Sequence, residues 1–193
     1  MALGTKKVSL AELKRELAEV ARVGQMFLDG DLVRRAYHPH AVNFLCGDDM
    51  DFDPQAFMPL KKTMLRLERL ARVPCATTLW RRRPVSPGKA PDRGEALIFG
   101  GFASPHGGNK PANRGYQPEK MFPELARAFL KGQNAWKVTR SRGAGFMAER
   151  GLGVSVKGLK GPAFIELFVP VKDSMGEIAA VLEVFAATAG DDQ

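Results

Sequence analysis

Residues 163–186 read AFIELFVPVKDSMGEIAAVLEVFA, and this stretch decides the fold class. Two apolar runs, 163–172 and 177–186, flank a short polar segment at residues 173–176. Apolar runs of this length that are rich in valine, isoleucine and phenylalanine are typical of buried strands. A glycine-containing turn between two such runs predicts a β-hairpin. The C-terminal part of the chain is therefore predicted to form two neighbouring strands of a sheet.

Two helices are predicted before the sheet. The sequence S-L-A-E at residues 9–12 is a capping box, which is typical of a helix N-terminus. The helical spacing of the apolar residues after it predicts one long amphipathic helix over residues 10–36, with Gly24 and Gly30 as weak points. The same spacing predicts a second helix over residues 54–72.

The rest of the chain alternates between β-forming runs and segments rich in glycine and proline. Strands are predicted over residues 75–83, 95–103 and 134–141, and a short helix over residues 122–131. Lid loops are predicted over residues 84–94, 104–118 and 143–162. This order predicts an α+β fold, in which helices lie against a five-stranded, mostly antiparallel sheet. We expect one domain over residues 1–193, with a helical part at 10–72 and the sheet at 75–187.

Composition places the chain among ordinary globular proteins. Its 193 residues are 45% hydrophobic and 26% charged, which excludes collagen-like and low-complexity classes. Two cysteines, Cys46 and Cys75, are too few for a disulfide scaffold; they are buried thiols or a single bridge. The longest apolar candidate, residues 178–190, is shorter than the roughly 20 residues that a membrane span needs. No signal peptide is recognised, so we expect a cytoplasmic protein with no membrane span.

The net charge of +8 is concentrated in one block, residues 61–93. The block has two acidic residues, Glu68 and Asp92, and ten basic ones. The basic residues are Lys61, Lys62, Arg66, Arg69, Arg72, Arg81, Arg82, Arg83, Lys89 and Arg93. Such a block predicts a surface that faces an anion: nucleic acid, a membrane surface or an acidic partner. A solvated face is the alternative, since most such runs are solvated. No known nucleic-acid-binding motif accompanies it.

Metal binding is not predicted from the acidic and histidine residues. Asp49, Asp51 and Asp53 have the opening spacing of a calcium loop, but the loop's sixth position is Pro54 and its twelfth is Leu60. An acidic turn at a helix N-terminus explains these three residues more simply. His38 and His40 could share a metal, but no matching pair of ligands occurs elsewhere in the sequence.

Catalytic motifs are also lacking in the sequence. Cys46 lies near two histidines without a spacing that specifies a dyad, and no G-x-S-x-G elbow is present. The glycine pairs at residues 143–145 and 151–153 are not followed by G-K-[ST], so they do not predict a phosphate loop. We therefore expect no catalytic residues, no cofactor and no enzymatic activity.

Three segments carry a resemblance to a known family. The hairpin F-V-P-V-K-D-S-M-G-E-I-A-A-V-L-E-V at 168–184 resembles the closing strands of the Cache, or PDC, family of PAS-like sensor domains. The segment F-A-S-P-H-G-G-N-K-P-A-N-R-G-Y at 102–116 resembles the loop after their second strand. P-E-L-A-R-A-F-L-K-G-Q at 123–133 resembles their helix before the third strand. GAF domains and ordinary PAS domains share the terminal hairpin and remain alternatives.

The resemblance implies a ligand pocket over one face of the sheet, covered by the loop before the third strand. Trp80, Trp136 and Tyr116 would form its walls. By the two-residue period of strands, Arg82 shares a face with Trp80, and Arg140 shares a face with Trp136. The predicted ligand-binding residues are Trp80, Arg82, Tyr116, Trp136, Arg140, Arg142 and Lys157. Arginine binds carboxylates bidentately, so a small anionic ligand is predicted; tryptophans in the core and arginines at the surface are the alternative.

The sequence thus predicts a stand-alone sensory domain that binds a small, carboxylate-type ligand. Loops rich in glycine and proline would close over the ligand, and the signal would pass to a partner protein. A homodimer through the long N-terminal helix is expected, as is common in the family. The alternative is an adaptor that binds nucleic acid or an acidic partner through residues 61–93.

Overall fold

The computed structural model describes residues 7–36, 53–82, 96–99 and 123–189. Its strands are β1 (Lys7–Ser9), β2 (Ala76–Arg82), β3 (Ala96–Phe99), β4 (Ala135–Arg140), β5 (Gly153–Lys157), β6 (Ala163–Lys172) and β7 (Ile178–Thr188). Its helices are α1 (Leu10–Phe27), α2 (Gly30–Ala36), α3 (Pro54–Leu70), α4 (Pro123–Lys131) and α5 (Arg142–Met147). A π-helical segment, Ala148–Leu152, follows α5. The fold class is α+β, as predicted.

The long hairpin strand β7 organises the sheet. One edge of β7 pairs with β6, and the other edge pairs with β2 and, beyond it, with β5. Strand β3 pairs with β2, β4 with β6, and β1 with β5. The five strands predicted from sequence therefore lie side by side, in the order β3-β2-β7-β6-β4, with antiparallel neighbours. Strands β1 and β5 add two parallel pairings, so the sheet is mixed.

The two faces of the sheet bury different sets of residues. Alternate residues of β7, among them Leu182 and Val184, share the main core with α1, α2 and α3. The residues between them point to the opposite face, where Val181 packs with Trp80, Phe168 and helix α4. Helix α4 contributes Leu125, Ala128 and Phe129 to this second cluster. The sheet is thus covered by helices on both sides.

The predicted long helix over residues 10–36 is wrong in one respect, because it is two helices. The capping box is present: Ser9 Oγ accepts from the Glu12 backbone N–H at 3.1 Å. Helix α1 ends at Phe27, and α2 begins at Gly30. The carboxylate of Asp29 accepts from the Asp31 backbone N–H at 2.8 Å and so starts the second helix. Gly30 lies against the backbone of Lys172, where a side chain would not fit.

The predicted lid loop over residues 143–162 is also wrong, because most of it is regular structure. It contains nearly all of α5, the π-helical segment and β5. Ser141 caps α5 by accepting from the Gly143 backbone N–H at 3.2 Å. Val154 and Val156 are buried, and they hold β5 between β7 and β1. Glycines in this stretch therefore serve close packing and turns, as at Gly153, where an added side chain would meet Ala148 and Ala187.

Several features named in the sequence fall outside the described residues. They include the loops over 84–94 and 104–118, and the residues His38, His40, Cys46, Asp49, Asp51 and Tyr116. Cys75 lies within the described part and is a free, half-buried thiol. Among the helices that the structure describes, none has the length and apolar character needed to cross a membrane.

Candidate functional site

A buried carboxyl group stands out on the α4 face of the sheet. Glu183 lies in the middle of β7, and its residue is only 6% exposed. Glutamate is almost never fully buried unless it is paired, because transfer of its charge from water is costly. Buried ionisable groups with specific partners are candidates for functional sites. Glu183 is therefore the starting point for the site.

Trp80 holds one oxygen of this carboxyl group. Its indole Nε1 donates a hydrogen bond to Glu183 Oε2 at 2.6 Å. The two residues meet because β2 and β7 are paired, with Trp80 opposite Val181 and Thr78 opposite Glu183. The indole also packs edge-on against Phe168 of β6, with the ring centroids 6.4 Å apart. The carboxyl group is thus fixed against an aromatic wall.

A second carboxyl group, Glu166 of β6, lies diagonally across from Glu183. Thr139 Oγ1 donates a hydrogen bond to Glu166 Oε2, and the Lys137 ammonium lies 3.9 Å from the same oxygen. Lys137 is directly opposite Glu166 in the pairing of β4 with β6. The polar groups on this face therefore form a network across four strands. Its members are Trp80, Lys137, Thr139, Glu166 and Glu183.

Burial dominates the electrostatics of the network. Desolvation raises the pKa of Glu183 above its ordinary value, and the neighbouring charge of Glu166 raises that pKa further. The Trp80 hydrogen bond and the Lys137 charge act in the opposite direction on the same pKa. Glu183 therefore keeps its proton to a higher pH than an exposed glutamate. A protonated carboxyl group can donate a hydrogen bond, as well as accept one.

The polar groups of the network satisfy one another, and the described residues do not form a metal centre. No buried side-chain nitrogen or oxygen in the described part of the chain lacks a hydrogen-bond partner. Groups of three or more histidine, cysteine, aspartate or glutamate residues with metal-binding geometry are not found there either. The chemistry that these side chains offer is hydrogen bonding and charge pairing, next to aromatic rings.

The predicted tryptophan walls lie on opposite faces of the sheet. Trp80 is buried in the α4 cluster. Trp136 packs instead against the main core beneath α1, and the Lys14 ammonium lies 5.2 Å from the centre of its ring. The structure therefore does not bring the two tryptophans into one pocket. Arg82, which was predicted to share the ligand pocket with Trp80, is the last residue of β2, and its backbone is paired with Ala96 of β3.

The other predicted cations lie at exposed positions. Arg140 ends β4 and donates from Nη1 to the Gly161 carbonyl oxygen at 3.4 Å. Arg142 begins α5, and Lys157 ends β5 opposite Ser9. None of these three is among the partners of Glu183 or Glu166.

Sequence reasoning found Trp80 but missed the four polar residues around it. One signal was available: each of the two apolar hairpin strands contains a single central glutamate, Glu166 and Glu183. A charge inside an otherwise apolar strand requires a partner if that strand is buried. The identity of the partners required the strand order.

Comparisons with known proteins found no relative. No family model, no curated protein and no solved structure matches this chain.

Proposed function

We propose that this chain is a sensory domain, PAS-like and related to the Cache family, which binds a small molecule on the α4 face of its sheet. The observation that carries the proposal is the buried Trp80–Glu183 pair beside Glu166. Ligand sites combine apolar walls with a few convergent polar groups. Here apolar side chains such as Phe168 and Val181 surround the Trp80–Glu183 pair. The antiparallel order β3-β2-β7-β6-β4, in which the predicted hairpin supplies the neighbouring strands β7 and β6, supports the PAS-like assignment.

The chemistry of the described site favours a ligand that offers hydrogen-bond donors, such as an amine. Two carboxyl groups on adjacent strands accept hydrogen bonds, and a ligand cation can replace the proton that burial keeps on Glu183. The carboxylate-type ligand predicted from Arg82, Arg140, Arg142 and Lys157 has weaker support, because Arg140, Arg142 and Lys157 are exposed. Lys137, a member of the network, is a cation that could meet an anionic group of the same ligand.

Signalling requires that the ligand bind two conformations with different affinity. We propose that an output partner protein binds one of these conformations preferentially.

The homodimer through the first helix stays a prediction. The apolar stripe of α1, including Leu13 and Leu17, is buried in the chain's own core, so a dimer would use the outward face with Arg15, Glu19 and Arg22. Sedimentation over a concentration series measures the oligomeric state. A strict monomer at the highest concentration would contradict the predicted homodimer.

A thermal-shift screen tests the proposed ligand site. The melting temperature is measured with a panel of small amines, amino acids, carboxylates and purines. A compound at 100 times its Kd adds about 2.7 kcal/mol of stability, which is a shift of several degrees for a chain of this size. We expect one class to shift the wild type, and amines to shift it more at alkaline than at acidic pH.

Variants of the two carboxyl groups locate the effect. Glu183→Gln keeps an oxygen that can accept from Trp80 but removes the charge, and Glu166→Gln does the same on β6. Both are expected to lose the ligand-induced shift. Glu177→Gln is the matched control, because Glu177 is exposed in the hairpin turn. A panel without any hit, or a shift that survives in both variants, contradicts the proposal.

A further inference from the structure

Helix α3 presents a row of positive charge on its outward side. Lys62, Arg66 and Arg69 are exposed and follow one another at intervals of four and three residues. This spacing places them on one side of the helix, along about 10 Å of its axis. Arg72, exposed just after the helix, continues the row, and the half-buried Lys61 borders it.

The acidic residue of α3 does not neutralise this row. Glu68 is turned away from it, because its Oε1 accepts from the Thr77 backbone N–H at 2.7 Å and from Thr77 Oγ1 at 2.9 Å. Burial raises the pKa of Glu68 to about 7, which further reduces its negative charge. Within the described part of the chain, no ion pair involves Lys61, Lys62, Arg66, Arg69 or Arg72. One carboxylate, Glu16 of α1, lies at the end of the row, where it accepts from the Arg72 backbone N–H at 3.3 Å.

The buried side of α3 limits which anionic surface could be the partner. Phe57, Leu60, Met64 and Leu67 are packed into the main core, so the apolar stripe of this helix is not available to a bilayer. Its exposed large apolar side chains, Met58 and Leu70, lie near opposite ends of the helix and do not form a continuous face. The outward side of α3 has no aromatic residue on which unpaired bases could stack. Guanidinium groups in a straight row suit the regularly spaced phosphates of a duplex, which they bind bidentately.

We propose that the basic row of α3, Lys62, Arg66, Arg69 and Arg72, binds the phosphate backbone of a nucleic-acid duplex. The row lies on the side of the sheet that α1, α2 and α3 cover, whereas the Trp80–Glu183 site lies on the side that α4 covers. A small molecule and a duplex could therefore be bound together. Duplex binding by the row does not depend on the proposed ligand site, since the two share no residue.

Fluorescence anisotropy with a labelled DNA duplex of mixed sequence tests the inference. Binding is measured over a series of salt concentrations from about 50 to 200 mM, a range in which phosphate contacts weaken strongly. We expect the logarithm of the association constant to fall with the logarithm of salt concentration, with a slope of about −0.9 for each phosphate neutralised. Four cations thus predict a slope between about −3 and −4.

A triple variant and a charge-matched control separate the row from the general charge of the protein. Lys62→Gln/Arg66→Gln/Arg69→Gln is expected to weaken binding at least tenfold and to reduce the slope by between about 2 and 3. Arg127→Gln/Lys131→Gln/Lys160→Gln removes the same charge from exposed positions elsewhere and should retain most of the affinity. Melting curves of both variants verify that they fold.

Four results would overturn the inference. They are the absence of duplex binding at low salt, equal losses in the two triple variants, tighter binding of a single strand of the same sequence, and binding to vesicles of anionic lipid in place of the duplex. Each of these outcomes assigns the row to another partner or to solvation.

Discussion

The indole nitrogen of Trp80 and the carboxyl group of Glu183 form a 2.6 Å hydrogen bond inside the sheet, although the residues are 103 positions apart in the chain. The bond joins β2, the first strand after the helical region, to β7, the second strand of the hairpin. It leaves Trp80 packed between Phe168 and helix α4. One contact thus provides a hydrogen-bond partner for both a buried carboxyl group and a buried indole N–H.

Removing the indole donor is expected to destabilise the protein. Trp80→Phe leaves a buried carboxyl oxygen without its hydrogen bond, which costs about 1–3 kcal/mol. The pKa of Glu183 should rise further, since the Trp80 hydrogen bond lowers it. Trp136→Phe is the control, because this half-buried ring meets the Lys14 ammonium and its loss should cost less than about 1 kcal/mol. Urea unfolding at neutral pH compares the two, and equal losses would contradict the role of Trp80.

Stability should fall as the pH rises from about 4.5 to above 7. Burial raises the pKa of Glu68 to about 7 from an ordinary value of 4.5, and it raises the pKa of Glu183 as well. Between the two pKa values the folded state keeps a proton that the unfolded state has lost. The contribution of these two groups to stability therefore falls as the pH rises through this window. It is greatest at the acidic end of the window.

Neutral variants test this pH dependence of the unfolding free energy. Glu68→Gln keeps an oxygen to accept from Thr77 but does not titrate, so its stability should vary less between pH 4.5 and pH 7. The variant Glu177→Gln, at an exposed position, should keep the wild-type slope of unfolding free energy against pH. Denaturant titrations at several pH values measure it, and an unchanged slope in Glu68→Gln would count against a buried, protonated Glu68.

A methyl group at position 24 should destabilise the core. A β-carbon on Gly24 would overlap Leu182 Cδ2 and would lie 3.2 Å from Leu67 Cδ1. Helix propensity alone would favour Gly24→Ala by about 1 kcal/mol. Overpacking costs about 1–3 kcal/mol and should reverse that gain.

Ala18→Gly on the exposed side of the same helix calibrates the propensity effect. It should cost about 1 kcal/mol, because no packing changes there. Unfolding free energies in urea measure both variants. A more stable Gly24→Ala would show that α1 and the sheet are not in such close contact.

The hairpin turn should tolerate asparagine better than alanine at position 176. Gly176 has a φ of +82°, and apart from its two chain neighbours no residue comes within 4 Å of the point that a β-carbon would occupy, so only backbone strain opposes substitution. Gly176→Ala should cost about 1–2 kcal/mol, because a β-carbon disfavours this left-handed region. Asparagine visits that region more readily, so Gly176→Asn should lose less stability. Thermal unfolding ranks the two, and the opposite ranking would refute the strain argument.

Local pattern determined most of the elements. The hairpin strands, the helices α3 and α4 and the strands β2 and β4 lie within two residues of their predicted bounds. These elements depend on apolar periodicity, caps and turns, which act over a few neighbouring residues. The positive charge of α3 was equally evident, because the sequence carries it in consecutive turns of one helix.

Only the tertiary structure decided how these elements share faces. Strands β1 and β5 are short. Strand β5 pairs in parallel with β7, which follows it in the chain, and β1 pairs in parallel with β5. The two-residue period correctly shows which residues of one strand lie on the same face. It does not predict which face of one strand lies on the same side of the sheet as a given face of another strand. That choice depends on strand order and register, so Trp80 and Trp136 fall on opposite sides, and Trp80 meets Glu183.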